Sequence, residues 1–314
     1  MATALEALAR HPLLRRLARH PLLRRFALPV LFVVAFVIFL PLTFPFEPLA
    51  RRLEVEARSG GTELSLGKLG PALLFGLRAR DVRVRIPPPP GSDPLPELKL
   101  DRVDLKPDLI TLLLRKTSFS FSAEAYGGSA SGHAALSGGQ TPGLLSLKLD
   151  ASELDLHALP LKELAGVDLA GKLRLKLDLP TLQPAEVATG AISFSVKGAA
   201  LTTGNVQGFT LPRTGLGDLD GSVSVDKGTA KVDKCTARGG DVDADVDGNV
   251  RLRPLLSLSQ ADLHLRFRLG DKWLNENALI KGALGLIQNA RQGDGSYVFT
   301  FAGPLTRMSP RPGR

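Results

Sequence analysis

Beyond residue 50, apolar and polar residues alternate along the chain in short runs. Successive side chains of a β-strand point to opposite faces, so these runs predict strands with one apolar and one solvated face. The alternation is clearest in five runs: Val82–Ile86, Leu145–Leu149, Leu173–Leu179, Ile192–Val196 and Leu263–Leu269. Glycine pairs such as Gly127-Gly128 punctuate the sequence, and no long helical segment separates the runs. Antiparallel pairing is therefore predicted.

The apolar positions of these runs are rich in leucine and poor in aromatic residues. A sheet with one such face must bury that face. Three arrangements meet this requirement: the sheet curls on itself, packs against a second sheet, or lines a groove for an apolar ligand. We predict a mainly β protein with a curved antiparallel sheet or groove and a few short helices. One or two β-domains are both compatible with the pattern, and 184–190 is the plausible boundary between two.

Few segments are predicted to be helical. Pro107–Lys116 begins with Pro and Asp and ends with two cations, which favours a short helix. Leu159–Leu164 is long enough for a turn or two, and Asp271–Arg291 is the best candidate, although glycines interrupt its apolar positions. Pro87–Pro94 opens with four consecutive prolines, and it predicts an exposed extended loop between two strands.

One segment, Phe26–Phe46, is apolar along its length and contains no charged residue. At about 1.5 Å per residue it spans roughly 30 Å, the thickness of the hydrocarbon core of a bilayer, so we predict a transmembrane helix. A cleaved signal peptide would have a shorter apolar region and a small-residue cleavage site, which Thr43-Phe44-Pro45-Phe46 does not offer. A buried helix of a soluble protein is the other alternative.

The charges on the two sides of this segment predict its orientation. Residues 1–25 carry six arginines against one acidic residue, whereas acidic and basic residues balance after Phe46. An excess of Lys and Arg marks the cytoplasmic side of a membrane helix. We predict four parts: a basic cytoplasmic arm at 1–25, a transmembrane helix at 26–46, a β-rich domain outside the cytoplasm at 47–308 and a frayed tail at 309–314.

The basic arm contains the phrase Arg-His-Pro-Leu-Leu-Arg-Arg twice, at 10–16 and at 19–25. The repeat is either a topology signal or an amphipathic segment that lies on anionic head groups. The arm supplies more than half of the chain's net charge of +9. Because this excess lies beside an apolar segment, and not on a basic face with interleaved aromatic residues, we expect no nucleic-acid partner.

Residues able to carry chemistry are few. Cys235 is the only cysteine, which excludes an internal disulfide and a thiolate metal cluster. Beyond the arm the histidines are His133, His157 and His264, far apart and without ligand spacing. The sequence contains no nucleophile elbow, phosphate-binding loop or dinucleotide fingerprint. We expect no enzyme activity and assign no catalytic, cofactor-binding or metal-binding residue.

The segment Asp241–Gly248 is the nearest approach to a metal motif, because aspartates stand at alternate positions before a glycine. Read as a calcium loop from Asp243, its twelfth position is Pro254, where a bidentate Glu is required. The alternation of these aspartates with small apolar residues is typical of a strand that turns its carboxylates to water. We predict the strand, and a weak calcium site is the alternative.

The C-terminal part carries a family resemblance. The phrase Gly-Asp-Gly-Ser-Tyr-Val-Phe-Thr-Phe-Ala-Gly-Pro-Leu runs from Gly293 to Leu305, before Pro310 and after the glycine-interrupted segment Leu279–Ile287. With the N-terminal apolar segment and the β-rich remainder, it resembles the type II secretion system protein N family, GspN. In plan the chain is also similar to AsmA-like proteins. The resemblance implies an accessory component of a Gram-negative secretion apparatus, in the inner membrane, with its β-rich domain in the periplasm.

Two functional hypotheses follow, and neither is enzymatic. In the first, the protein is an interaction subunit whose strand edges and polar faces contact other type II secretion system subunits. In the second, it is an AsmA-like lipid-binding or lipid-transfer module whose leucine-lined groove holds phospholipid. Long leucine-faced strands with few aromatic residues and helices to cover them motivate the second hypothesis.

Overall fold

The computed structural model describes residues 43–59, 62–72, 76–85, 96–108, 111, 117–137, 143–165, 167–206, 209–254 and 258–313. The predicted basic arm, the predicted membrane helix up to residue 42 and most of the predicted proline loop lie outside these residues. Within the described residues, no helix combines the length and the apolar character needed to cross a bilayer. The chain divides into two compact units, Met1–Leu49 and Ala50–Arg314, and the second contains the sheet.

The second unit is built mainly from strands. Their bounds are β1 Glu63–Ala72, β2 Gly76–Arg85, β3 Leu98–Pro107, β4 Thr117–Ala125, β5 Gly128–Leu136, β6 Leu144–Asp155, β7 Val167–Thr181, β8 Thr189–Val206, β9 Phe209–Leu211, β10 Thr214–Asp226, β11 Thr229–Arg238, β12 Val242–Arg251, β13 Gln260–Leu269, β14 Tyr297–Pro304 and β15 Ser309–Pro312.

In the part of the chain that the structure describes, four short α-helices accompany the strands: α1 Phe46–Ser59, α2 Leu161–Ala165, α3 Asp271–Glu276 and α4 Ala278–Leu284. Three 3₁₀ turns, Ala185–Val187, Gly285–Ala290 and Leu305–Arg307, complete the described helical elements.

All fifteen strands belong to one sheet, and each pairs with the next strand in the chain, with one exception. Strand β9 pairs only with β8, and β8 pairs with β7 on one side and, in place of β9 along the sheet, with β10 on the other. All pairs are antiparallel, which confirms the predicted pairing. The tightest turns, Tyr126-Gly127 and Lys227-Gly228, have positive φ at both positions, the geometry that matches the twist of two-residue hairpins. Strands β7 and β8 pair directly across 184–190, so this segment does not divide the sheet into two domains.

The described residues of the five alternating runs all fall in strands, namely β2, β6, β7, β8 and β13, and Ile86 lies outside the described residues. In β2 the alternation breaks at Asp81, which has φ 52°, and Ala79 and Val82 are both buried although they are three residues apart. Their partners in β1, Leu69 and Leu66, have the same spacing, so the register of this pair does not change. The register does shift at Ser222 and Val223 of β10, where β11 contains an extra residue and forms a bulge.

The helical predictions were right in part. The prediction at 159–164 is confirmed by α2. Of the predicted helix at 107–116, Pro107 is the last residue of β3 and Thr111 is helical, whereas 109–110 and 112–116 lie outside the described residues. The predicted helix at 271–291 is instead α3, α4 and a 3₁₀ turn. The break falls at Asn277, whose backbone N–H and side-chain Nδ2 donate to the carbonyls of Leu274 and Trp273 at 3.3 and 2.8 Å and so end α3.

The prediction of a frayed tail at 309–314 was wrong for the described residues. Ser309–Pro312 forms the edge strand β15, in which Pro310 and Pro312 stand opposite Phe301 and Phe299 of β14. A proline cannot donate to a ladder, but an edge strand needs donors on one side only, so proline is tolerated there. The Gly313 N–H donates to the Val298 carbonyl at 2.8 Å and secures the end of the strand.

The main buried cluster lies where the connection between β6 and β7 folds over the sheet. Leu156 of this connection packs with Val196 and Ala199 of β8. Half-buried leucines surround these three residues: Leu159, Leu161, Leu169, Leu173, Leu216 and Leu219. Among the described residues the other buried apolar side chains are mostly alanines spread along the strands. Most of the larger leucine and phenylalanine side chains of the sheet are half-buried or exposed, and Leu201 of β8 is an exception.

Candidate functional site

The most prominent feature of the sheet is a row of directly opposed residues that crosses it from β1 to β15. We call it the apolar row: Pro71, Leu77, Leu105, Phe121, Gly132, Leu149, Leu177, Ile192, Val223, Val232, Gly248, Leu263, Phe301 and Pro310. One residue comes from each strand of the ladder, and none has a polar side chain. Directly opposed residues of antiparallel strands share a face, so one side of the sheet is apolar across its width.

A second apolar row runs beside the first on the same face. Its members are Leu69, Ala79, Val103, Ala123, Ala130, Ala151, Leu175, Phe194, Gly221 and Cys235. The lone cysteine therefore lies on the apolar face, where it is half-buried. Burial first, and the charge of Asp245 second, raise the pKa of its thiol. A neutral thiol behaves as a small apolar group and does not interrupt the face.

Two aromatic rings on this face lie against the sheet, each over a glycine of the neighbouring strand. A Cβ added at Gly221 would approach the Phe194 ring to 2.2 Å, and one added at Gly132 would approach the Phe121 ring to 2.7 Å. Each ring therefore lies across the glycine of the adjacent strand. This arrangement covers backbone that lacks a side chain and keeps the apolar surface level. Near the other edge, the ring centroids of Phe267 and Tyr297 are 5.5 Å apart and the rings are stacked.

The side chains of the apolar row are not sealed from solvent. Leu149, Leu177, Ile192 and Leu263 are half-buried, and Leu105 is 36% exposed. Side chains enclosed between two packed layers are generally buried, since layers interdigitate at close-packed density. The apolar face thus retains accessible surface along its length.

The opposite face is polar and carries ion pairs between neighbouring strands. The tightest network joins β2 and β3, where Asp104 accepts from Arg78 Nε at 2.6 Å and from Arg102 at 2.9 Å. The hydrogen bond from Arg78 first, and that from Arg102 with it, lower the pKa of the Asp104 carboxyl from 3.8 to about 2. Other cross-strand pairs are more exposed, among them Lys176–Asp150 at 3.3 Å and Lys148–Asp178 at 3.2 Å.

The histidines considered as candidate ligands lie apart from one another on hydrogen-bonded strands or turns. His133 Nδ1 is 3.4 Å from the Ser120 hydroxyl. His157 and His264 contact Asp168 and Asp247 at 3.0 and 3.1 Å. Within the part of the chain that the structure describes, no three His, Cys, Asp or Glu side chains are grouped so that they could hold a metal ion.

The aspartates of 241–247 lie in or next to a strand, β12, as predicted. The Asp241 carboxylate accepts from the Gly215 N–H at 2.7 Å, and Asp245 accepts from Arg238 at 2.5 Å. Asp247 faces His264 of β13. These carboxylates therefore join neighbouring strands and do not converge on a common point.

Comparison of the chain with protein-family models, with curated proteins and with solved structures gives no match. The resemblance to GspN and AsmA-like proteins consequently remains a prediction. The phrase that carries it has a structural role within the sheet: Tyr297, Phe299 and Phe301 of β14 point to the apolar face, opposite Phe267, Leu265 and Leu263 of β13.

The alternation predicts which side of each single strand is apolar, but it does not predict that the apolar face continues from strand to strand. Alternation assigns a face within each strand, whereas the pairing of Phe121 with Gly132, or of Phe194 with Gly221, depends on register. Glycines inside alternating strands were the available signal, because a glycine in a strand often marks close approach of a neighbour.

Proposed function

We propose that the apolar face of the sheet binds the acyl chains of lipids. The observation that supports this proposal is the apolar row, which continues through all strands of the ladder without a polar side chain. At about 4.8 Å between strands, this row extends over roughly 60 Å. That length exceeds an extended acyl chain several times, so the face can hold more than one lipid along its path.

The extent of the exposed apolar surface also supports a binding role for this face. Contiguous apolar patches larger than a few hundred Å² are uncommon on soluble monomers and mark sites for ligands, partners or membranes. Covering such a surface contributes about 25 cal/mol per Å² of apolar area removed from water. An acyl chain suits the row because neither offers a hydrogen bond, so neither leaves a polar group unpaired on binding.

The proposal includes an anchor. The predicted helix at 26–46 holds the protein in the bacterial inner membrane with the arm 1–25 in the cytoplasm and the β-rich domain in the periplasm. The charge asymmetry across 26–46 supports this topology. A sheet that is tethered to a membrane has a continuous supply of phospholipid, which suits a lipid-binding or lipid-transfer role.

A second candidate function is that of an accessory subunit of the type II secretion system. The C-terminal phrase from Gly293 to Leu305, which resembles GspN, favours it. The exposed ion pairs of the polar face supply a surface that partner subunits can contact without disturbing the apolar face. The two functions use opposite faces of one sheet and are therefore separable by substitution.

The test is purification of the full chain from membranes, followed by native mass spectrometry and identification of co-purifying proteins. Two neighbouring positions of β8 provide matched variants: Ile192 lies in the apolar row, and Ser193 is exposed on the polar face. We expect phospholipid at defined stoichiometry in the unsubstituted protein. Ile192→Glu places a carboxylate against the acyl chains, at a cost of several kcal/mol, so bound lipid falls about tenfold or more.

Ser193→Glu adds the same carboxylate on the polar face and is expected to leave bound lipid within about twofold of the unsubstituted protein. Circular dichroism checks that both variants keep their strand content. Lipid-free protein that captures secretion subunits, with capture lost in Ser193→Glu and retained in Ile192→Glu, would favour the second candidate function over the first.

A further inference from the structure

Helix α1 has two different sides, and one of them is fixed to the edge of the sheet. The Glu54 carboxylate accepts from the Leu66 N–H of β1 at 2.9 Å, and the Thr62 N–H donates to the Ala57 carbonyl at 2.9 Å. Ala50, Glu54 and Ala57 are accordingly half-buried. The Glu54 contact fills one outward donor of an edge strand, which is a common means of protecting such an edge.

The other side of α1 is cationic and exposed. Arg51, Arg52, Val55 and Arg58 follow the i, i+4, i+7 spacing of one helix face, and all four are exposed. Val55 lies in their midst and is 66% exposed. We call these four residues the outer face of α1.

The acidic residues of α1 do not neutralise this face by contact. Glu54 is turned to β1, Glu56 is exposed one helical turn after Arg52, and Glu47 lies in the first turn, where it suits the helix dipole. Among the described residues, no carboxylate forms an ion pair with Arg51, Arg52 or Arg58. In the sheet, by contrast, many cations are paired across strands.

We propose that the outer face of α1 docks on the anionic head groups of the bilayer. This inference rests on the proposed membrane anchor, because α1 begins at Phe46, the last residue of the predicted membrane helix. A helix of 14 residues is about 21 Å long, so every residue of its outer face lies within about 21 Å of the end of the predicted membrane helix. Three guanidiniums around an exposed valine match an interfacial helix, in which cations contact phosphates and the apolar side chain enters the head-group layer.

The experiment uses the full chain in lipid nanodiscs, with Cys235→Ser to remove the native thiol and Val55→Cys to carry an environment-sensitive fluorophore. Nanodiscs of phosphatidylcholine are compared with nanodiscs that contain phosphatidylglycerol. We expect blue-shifted emission at position 55 in the anionic discs, with about twofold stronger quenching by a bilayer-located quencher, and loss of both effects in high salt. The triple variant Arg51→Gln, Arg52→Gln, Arg58→Gln is expected to abolish the difference.

A second probe site controls for general effects of the bilayer. Val187 is 49% exposed in the turn between β7 and β8, and Val187→Cys is expected to give the same emission in both discs. Identical emission at position 55 in neutral and anionic discs, or a shift that survives the triple glutamine variant, would overturn the docking of α1 while the anchor stands. Failure of the chain to co-elute with neutral discs would overturn the anchor itself and this inference with it.

Discussion

The two faces of the sheet come from the same strands but are stabilised in different ways. The apolar face is continuous: Leu149, Leu177 and Ile192 lie in one row with one residue from each of the remaining strands of the ladder. The polar face is stabilised locally, by pairs such as Arg78 with Asp104 that join two adjacent strands. Substitutions on the polar face should therefore have local effects, whereas substitutions on the apolar face should change the surface that a ligand meets.

The largest stability effect is expected at Asp104, the most enclosed carboxylate of the polar face. Asp104→Asn leaves Arg78 and Arg102 without their shared partner, and we expect a loss of about 1–3 kcal/mol in the free energy of unfolding at neutral pH. Urea unfolding measures the change. Asp178→Asn is the matched control, because this side chain is 60% exposed in its pair with Lys148, and the expected loss is about 0.5 kcal/mol or less.

The pH dependence of the Asp104 effect has a defined sign. Its carboxyl has a pKa lowered from 3.8 to about 2 in the folded protein, so its stabilising contribution is complete above pH 3.8. The contribution decreases as the pH falls from 3.8 through about 2. The difference between the unsubstituted protein and Asp104→Asn should therefore shrink across this interval. A difference that stays constant down to pH 2 would contradict the role given to the two arginines.

A smaller stability effect is expected on the apolar face at Gly221. The added methyl of Gly221→Ala would lie 2.2 Å from the Phe194 ring, so the ring must move, at a cost of about 1 kcal/mol. Thermal unfolding measures it. Gly70→Ala is the control, since nothing lies within 4 Å of a Cβ at Gly70. In a Phe194→Leu background, Gly221→Ala should lower the free energy of unfolding by less. An equal loss in both backgrounds would contradict the contact between the added methyl and the Phe194 ring.

The sequence predicted the strands well because alternation is a local signal. It could not predict register, which depends on bulges such as the one at Ser222 and Val223, where β10 pairs with β11. Helix α1 was missed although Leu49, Leu53 and Ala57 follow helical spacing, because the charges between them suggested only a flank of balanced sign. The tail at 309–314 was predicted to fray because it lies at the chain terminus, whereas most of it forms an edge strand, which accepts its prolines.

The candidate site was predicted only as one of three ways to bury a leucine-rich face. The choice among them depends on long-range strand pairing and on how far side chains such as Leu105 remain exposed. Neither can be predicted from a local sequence pattern. The position of Cys235 on the apolar face is a further consequence of register, since its facing partner is Gly221 in a different strand.

The most direct test of the apolar face uses Cys235, because the only cysteine of the chain lies on it. A photoreactive maleimide is attached to the full chain in phospholipid membranes, at mildly alkaline pH because burial raises the pKa of the Cys235 thiol. Irradiation is followed by mass spectrometry. The matched control moves the thiol to the polar face with Lys234→Cys in a Cys235→Ser background. We predict phospholipid adducts at position 235 and few or none at position 234. Equal adducts at the two positions, or none at position 235, would contradict lipid binding by the apolar face.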